Sequence, residues 1–247
     1  MAKILYLVPG VGLSAEEIQR RQGLANEFLT NHSDNQVVVE AVEEGPLSIE
    51  SSVEEFMAVG SILKTIVKVQ DSYDAIIIGC AGDPGLAPAR ELAKIPIIGP
   101  IEASLHTAAG LAENFSIITV LDTIVPAIGR MVRDYGLENR CASVRVINSP
   151  VLAMLDNKKG ATKSFLKEVN AAVEQDRAAS IIMGCMTMAF LCIEETLNDR
   201  IEVPVINPAK VAVKTAEMIV SLGLRQSRVS YPQPDYDKLM KSVFRSE

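Results

Sequence analysis

Eight short apolar runs recur along this 247-residue chain: Lys3–Val8, Gln36–Ala41, Ala75–Gly79, Ile95–Ile98, Ser116–Thr119, Ser143–Ile147, Ser180–Met183 and Val203–Ile206. Amphipathic helical stretches lie between them, among them Ala15–Leu29, Val53–Val69, Asp122–Tyr135 and Lys163–Gln175. The runs are too short for helices and mostly lack polar alternation, so they read as strands covered on both faces. Strands alternating with helices of this length predict βαβ units and a parallel sheet. The apolar stock supports this, being mostly aliphatic: 48% of residues are hydrophobic, only 4% aromatic, and Trp is absent. No low-complexity tract or charge block interrupts the pattern.

A second pass shows a repeat. "DAIIIGC" at Asp74–Cys80 leads through a helical stretch to "IPIIGP" at Ile95–Pro100. "ASIIMGC" at Ala179–Cys185 leads likewise to "VPVINP" at Val203–Pro208. Each half runs strand, thiol, helix, and a short strand entered through Pro. The fold class expected is therefore α/β, with two pseudo-symmetric lobes, each a parallel sheet flanked by helices, and the active site in the cleft between them. Residues 1–99 form the first lobe and 100–206 the second, and the helical stretch "PAKVAVKTAEMIVSLGL" returns residues 207–247 to the first.

Charge and cysteine usage narrow the function. A net charge of -7, with no basic run, argues against nucleic acid and anionic membranes as partners. No apolar stretch reaches the roughly 18 residues of a membrane span, and "KILYLVPGVGL" reads as a first strand, since no cleavage pattern follows it. Four cysteines (Cys80, Cys141, Cys185 and Cys192) follow no disulfide framework, and His32 and His106 supply no zinc spacing. A reducing cytoplasm is the expected setting, with a small molecule as substrate and a homo-oligomer as the expected assembly.

Ligands of open α/β sheets bind beyond the carboxyl ends of the strands, where Cys80 and Cys185 stand. A helix is expected just after each, with Asp83-Pro84 as N-cap and first helical residue in one case and Thr187 as N-cap in the other. Helix N-termini would favour thiolates there. Two such ends facing across a cleft would set one thiol on each side of a bound molecule. One thiolate would take a proton alpha to a carbonyl and the opposite thiol return one to the other face, with backbone N–H groups holding the enolate charge. This chemistry needs no metal, pyridoxal or nucleotide. A buried core thiol is the alternative at any single strand end, and the repetition is what favours function. Cys141, before a strand, and Cys192, two turns into a helix, read as structural.

"GCAGDPGLAPAREL", "IPIIGPIEAS" and "SIIMGC" resemble the aspartate/glutamate racemase superfamily, in its hydantoin and allantoin racemase branch. "GPLSIES" at Gly45–Ser51, "CASVRV" at Cys141–Val146 and "VPVINPAKVAVKTAEMIVSLGL" resemble the same branch, so the likeness covers most of the chain. The resemblance implies two α/β lobes, cofactor-independent racemisation, and a cysteine pair at Cys80 and Cys185. There are departures. The branch usually ends its first strand in Asn-Pro-Asn and hydroxyl residues, where this chain has Pro9, Gly10 and Val11. It commonly follows the second cysteine with Ala-Gly-Met-Ala, where this chain has Met186, Thr187, Met188 and Ala189.

The residues expected to line the site are thus Cys80 and Cys185 as acid and base, with Pro9, Gly10, Val11, Ala81, Gly82, Thr119, Met186 and Thr187 around the substrate. The loops "PGVG", "CAGD", "TVLD" and "CMTM" contain no Lys or Arg, which favours a neutral ring, a 5-substituted hydantoin or an allantoin-like molecule. The alternatives are an amino-acid racemase acting on aspartate or glutamate, an arylmalonate-type decarboxylase, a maleate-type isomerase, or a binding protein without turnover. Glu102 and His106, one helical turn apart, read as a first-turn acid and an incidental His. The Gly10/Gly12 pair lacks any nucleotide-loop pattern, and "GPLSIES" offers no physical role on sequence alone.

Overall fold

The computed structural model describes residues 1–197 and 201–242. The strands are β1 (Lys3–Val8), β2 (Gln36–Ala41), β3 (Ala75–Ile78), β4 (Ile97–Ile98), β5 (Phe115–Thr119), β6 (Cys141–Val146), β7 (Ile181–Met183) and β8 (Val205–Ile206). The helices are α1 (Ala15–Glu27), α2 (Ser52–Val69), α3 (Leu86–Leu92), α4 (Pro100–Leu111), α5 (Val125–Asp134), α6 (Ala153–Asp156), α7 (Lys158–Glu174), α8 (Met186–Phe190), α9 (Pro208–Ser221) and α10 (Tyr236–Ser242). The strands form two four-stranded parallel sheets in the orders β2-β1-β3-β4 and β6-β5-β7-β8. The repeat is therefore architectural: β1 corresponds to β5 and β3 to β7.

Both faces of each sheet are covered, as continuous apolar strands require. In the first sheet Ile4, Tyr6 and Val8 face Ala25 of α1, Phe28 at its C-cap, and Ala209, Ala212, Val213 and Ala216 of α9. On the opposite face, Leu5, Leu7, Ile76 and Ile78 meet Ala58, Ile62 and Ile66 of α2 and Leu86 and Ala89 of α3. In the second sheet Ile118, Ile181 and Met183 meet Phe165, Val169 and Ala172 of α7. Phe115, Ile117 and Ile182 meet α4 and α5. Helix α9 thus packs on the first sheet although it follows the last strand of the second. Helix α8 also crosses over, burying Met186, Ala189 and Phe190 in the first core.

The Gly-Cys pairs have a steric cause. The Gly79 N–H donates to Leu7 O at 2.7 Å, and the Gly184 N–H to Ile118 O at 2.7 Å, so each chain leaves its strand pressed against the neighbouring one. A Cβ on Gly79 would stand 2.5 Å from Tyr6 Cε1, and one on Gly184 would stand 2.9 Å from Ile117 Cγ2. Glycine permits that close approach, and the next residue emerges beyond the sheet.

Candidate active site

Cys80 and Cys185 line one cavity beyond the carboxyl ends of the two sheets. The first sheet contributes Val8 at the end of β1, Pro9 and Gly10 after it, and Gly79, Cys80, Ala81 and Gly82 after β3. The second contributes Val120 after β5 and Gly184, Cys185, Met186 and Thr187 after β7, with Ile128 and Met131 of α5. Of the ten residues expected at the site, eight lie on this wall. Val11 and Thr119 do not. Val11 is tied into the loop instead, its N–H donating to Pro46 O at 2.9 Å. Thr119 is fully buried behind Gly184, and its hydroxyl donates to Gly184 O at 3.4 Å.

The two sulfurs have unlike surroundings. No helix begins directly after Cys80: the chain first turns through Ala81–Gly85, with Asp83 at φ 48°, before α3 starts at Leu86. Gly82 alone donates a backbone N–H to the Cys80 sulfur, at 3.4 Å. Cys185, by contrast, is itself the N-cap of α8, while Thr187 lies inside that helix. Burial pushes the Cys80 thiol up to about 12, against the Gly82 N–H; Glu55, Cys185 and Asp83 push the same way as burial. Burial also raises Cys185, but the N–H groups of Met188 and Thr187, then Arg21 and the Thr187 hydroxyl, oppose it. The sequence favours thiolates at both ends; the structure corrects this, because desolvation outweighs the available dipoles.

Asp83 is not the cap of its own helix. Its carboxylate accepts from the N–H groups of Ile101 (3.1 Å) and Glu102 (2.8 Å), so it caps α4, which leads into the second sheet. Burial raises its carboxyl to about 7 against those two bonds. Glu102 pairs with Arg90 of α3, whereas exposed His106 stands edge-on to Tyr135 at 5.9 Å, so Glu102 and His106 have separate partners. Cys141 opens β6, and Cys192 follows α8 at φ 50° rather than lying within a helix.

Three contributions to the wall escape a strand-end reading. Arg21, on α1, reaches the cavity from behind; it is 2% exposed. Its Nε donates to Glu17 at 2.8 Å, its Nη2 to Thr187 Oγ1 at 3.0 Å, and its guanidinium lies 5.0 Å from the Phe190 ring centroid. A cation on the wall corrects the expectation of a pocket without Lys or Arg. Glu55 of α2 is the second, half-buried, its carboxyl raised by burial against the pull of Arg130. The third is Leu47, Ser48 and Ile49 of the "GPLSIES" segment. That segment braces the loop after β1, since Gly12 N–H donates to Leu47 O at 3.0 Å and a Cβ on Gly12 would lie 2.4 Å from that oxygen. Glu50 also ties it to the second sheet's loops, accepting from Val151 N–H at 2.8 Å, while the Thr123 hydroxyl donates to Glu50 O at 2.5 Å. Arg21 was legible only as an i, i+4 partner of Glu17, a pattern shared with any solvated helix face.

Two parallel sheets of equal strand order, with a thiol at the end of the equivalent strand in each, define a protein of the bilobal racemase type. The Asp/Glu/hydantoin racemase family model matches residues 21–216, and the chain belongs to that family. It is 38% identical to the hydantoin racemase of Rhizobium meliloti over 216 residues, covering 86% of this chain and 89% of that protein. It is 35% identical to a hydantoin racemase of a Pseudomonas species over 205 residues, 82% of each. Among solved structures, allantoin racemase from Klebsiella pneumoniae superposes with a TM-score of 0.87 at 30% identity, over 95% of this chain and 94% of that one.

Proposed function

We propose that this chain is a cofactor-independent racemase in which Cys80 and Cys185 exchange protons with opposite faces of a carbon alpha to a carbonyl. The observation that carries this reading is the convergence of both thiols, from equivalent strands of the two sheets, on one cavity. One sulfur, as thiolate, takes the proton, and the C–H electron pair moves into the carbonyl to give a planar enolate. The other, as thiol, delivers a proton to the opposite face and is left as the thiolate. The surroundings differ: Cys185 has the α8 N–H groups, Arg21 and the Thr187 hydroxyl to support its thiolate, whereas Cys80 has the Gly82 N–H. Pro9, Gly10, Ala81, Gly82, Met186 and Thr187 surround the substrate.

The substrate class is a 5-substituted hydantoin or an allantoin-like ring. With Arg21 on the wall, the absence of cations no longer supports a neutral ring, and the named relatives, hydantoin and allantoin racemases, carry that part of the reading. In this reading residues 1–99 with 207–247 belong to one lobe and 100–206 to the other, 198–200 and 243–247 lying outside the described residues, and α9 packing on the first sheet supports it. A cytoplasmic homo-oligomer completes the proposal. Among the described residues no helix is long and apolar enough to cross a membrane. Val53, Phe56 and Met57 form an apolar stripe on α2, at 72%, 78% and 67% exposure, available to a second copy. Polarimetry on single enantiomers of 5-substituted hydantoins, allantoin, aspartate and glutamate tests the assignment. Decay of optical rotation for a ring and not for the amino acids is expected; no decay with any ring overturns it.

A further inference from the structure

The enolate formed between the thiols needs groups to hold its charge, and the N–H groups of Gly82, Asp83, Thr187 and Met188 are already engaged. The Gly82 N–H points to the Cys80 sulfur, the Asp83 N–H to Cys80 O at 3.2 Å, and the Met188 and Thr187 N–H groups act on Cys185. Among the described residues of the wall, Arg21 alone carries a full positive charge. Its guanidinium is held on two sides, Nε by Glu17 and Nη2 by Thr187, while Nη1 has no acceptor among the described residues and is not sealed from solvent. Glu17 is itself fixed by Arg20, at 2.7 Å, so the fork cannot swing freely. On the opposite side the wall bears Glu55, close enough to the Cys80 loop that a Cβ on Gly82 would lie 3.6 Å from both Glu55 Cδ and Cys80 Sγ. The cavity is therefore polarised, with a cation beside Cys185 and a carboxyl beside Cys80.

We propose that Arg21 is a catalytic residue of this site, donating through Nη1 to the carbonyl oxygen on which the enolate charge develops. The proposal rests on the racemase reading above. The oxygen lies two bonds from the reacting carbon, so a donor beside one of the two flanking thiols is within its reach. Because the fork is anchored before substrate arrives, it contributes most where charge accumulates, in the transition state. The guanidinium keeps all its protons throughout; the proton that moves travels from carbon to one sulfur and from the other sulfur to carbon. The same polarity turns the ring's N–H groups toward Glu55. This chain, whose first strand is followed by Pro9-Gly10-Val11 rather than by polar residues, thereby draws its polar contact from a helix instead of a loop.

The barbiturate anion, a planar cyclic ureide with an enolate oxygen, mimics the intermediate, and neutral dihydrouracil has a similar outline without the charge. Calorimetry on the intact protein is expected to show barbiturate binding at least about tenfold tighter than dihydrouracil, with the preference lost in Arg21→Gln and partly kept in Arg21→Lys. In turnover of a 5-substituted hydantoin, Arg21→Gln is expected to lose about 10²–10³ in kcat with KM little changed. Equal affinity of the wild-type protein for the two probes, no measurable barbiturate binding, or a folded Arg21→Gln with unchanged kcat would overturn the proposal. The two-probe comparison on the wild-type protein decides the matter even where Arg21→Gln does not fold. Failure of the wild-type protein to racemise any ring would strike the racemase reading itself, while the probe titration reports on Arg21 separately.

Discussion

Cys80 and Cys185 are chemically alike, yet their neighbours differ, and under the proposed mechanism their titration sets how the rate depends on pH. Burial raises both, and only Cys185 has a cation and a hydroxyl against the rise. The free enzyme near neutrality therefore holds both sulfurs largely as thiols, and the competent form, one thiolate and one thiol, grows about tenfold per pH unit below the lower thiol pKa. We expect kcat/KM to climb with pH through the neutral and mildly alkaline range; a flat or falling profile would contradict this. Thiolate absorbance in the ultraviolet assigns the order: Cys80→Ala, which leaves Cys185, should ionise at lower pH than Cys185→Ala. The thiols were legible in the sequence because they repeat. Arg21 and Glu55 were not, because they reach the cavity from α1 and α2, far along the chain from either strand end, and nothing local distinguishes them from surface charges.

At the scale of elements, Asp83 joins the turn after Cys80 to the N-terminus of α4, which packs under the second sheet. Asp83→Ala removes that cap and should lower the unfolding free energy by about 1–2 kcal/mol, measured as a shift in urea midpoint. Its acidity has a signed consequence. The folded-state value, about 7, lies above the ordinary carboxylate value. The stability it contributes is full below the unfolded-state value, and it is lost as pH rises through about 7. The wild-type protein should therefore lose more stability between pH ~5.5 and ~8 than Asp83→Asn does; equal losses would show that Asp83 is ionised throughout. The sequence reads Asp83 as the cap of the helix just after it, whereas its carboxylate caps α4. Its partners lie eighteen and nineteen residues on, at the start of the helix after β4, and only the folded turn aims the carboxylate there. All eight strands were legible, because their apolar runs are bounded by Gly, Pro and polar residues; the differences are one or two residues at their ends, where pairing with the neighbour stops.

For the whole molecule, the two sheets are held together by elements that cross between them: α9 on the first sheet, α8 in the first core, and the Gly45–Ser51 segment bonded to loops of both. The cavity belongs to neither sheet alone. The α2 stripe offers a test of the proposed assembly: Phe56→Glu should shift the light-scattering mass toward a smaller species without altering the thiol site, and an unchanged mass would contradict a contact between copies through this stripe. The central claim, that two thiols work from opposite faces of one carbon, is tested most directly by hydrogen exchange in D₂O with Cys80→Ala and Cys185→Ala, each shown to be folded by circular dichroism. Loss of a positioned acid or base should cut racemisation by about 10²–10⁴ in both directions for either variant. Each variant should still exchange the alpha hydrogen of one enantiomer without inverting it, and the two should prefer opposite enantiomers. Racemisation near the wild-type rate by either folded variant, or exchange of the same enantiomer by both, would contradict the account.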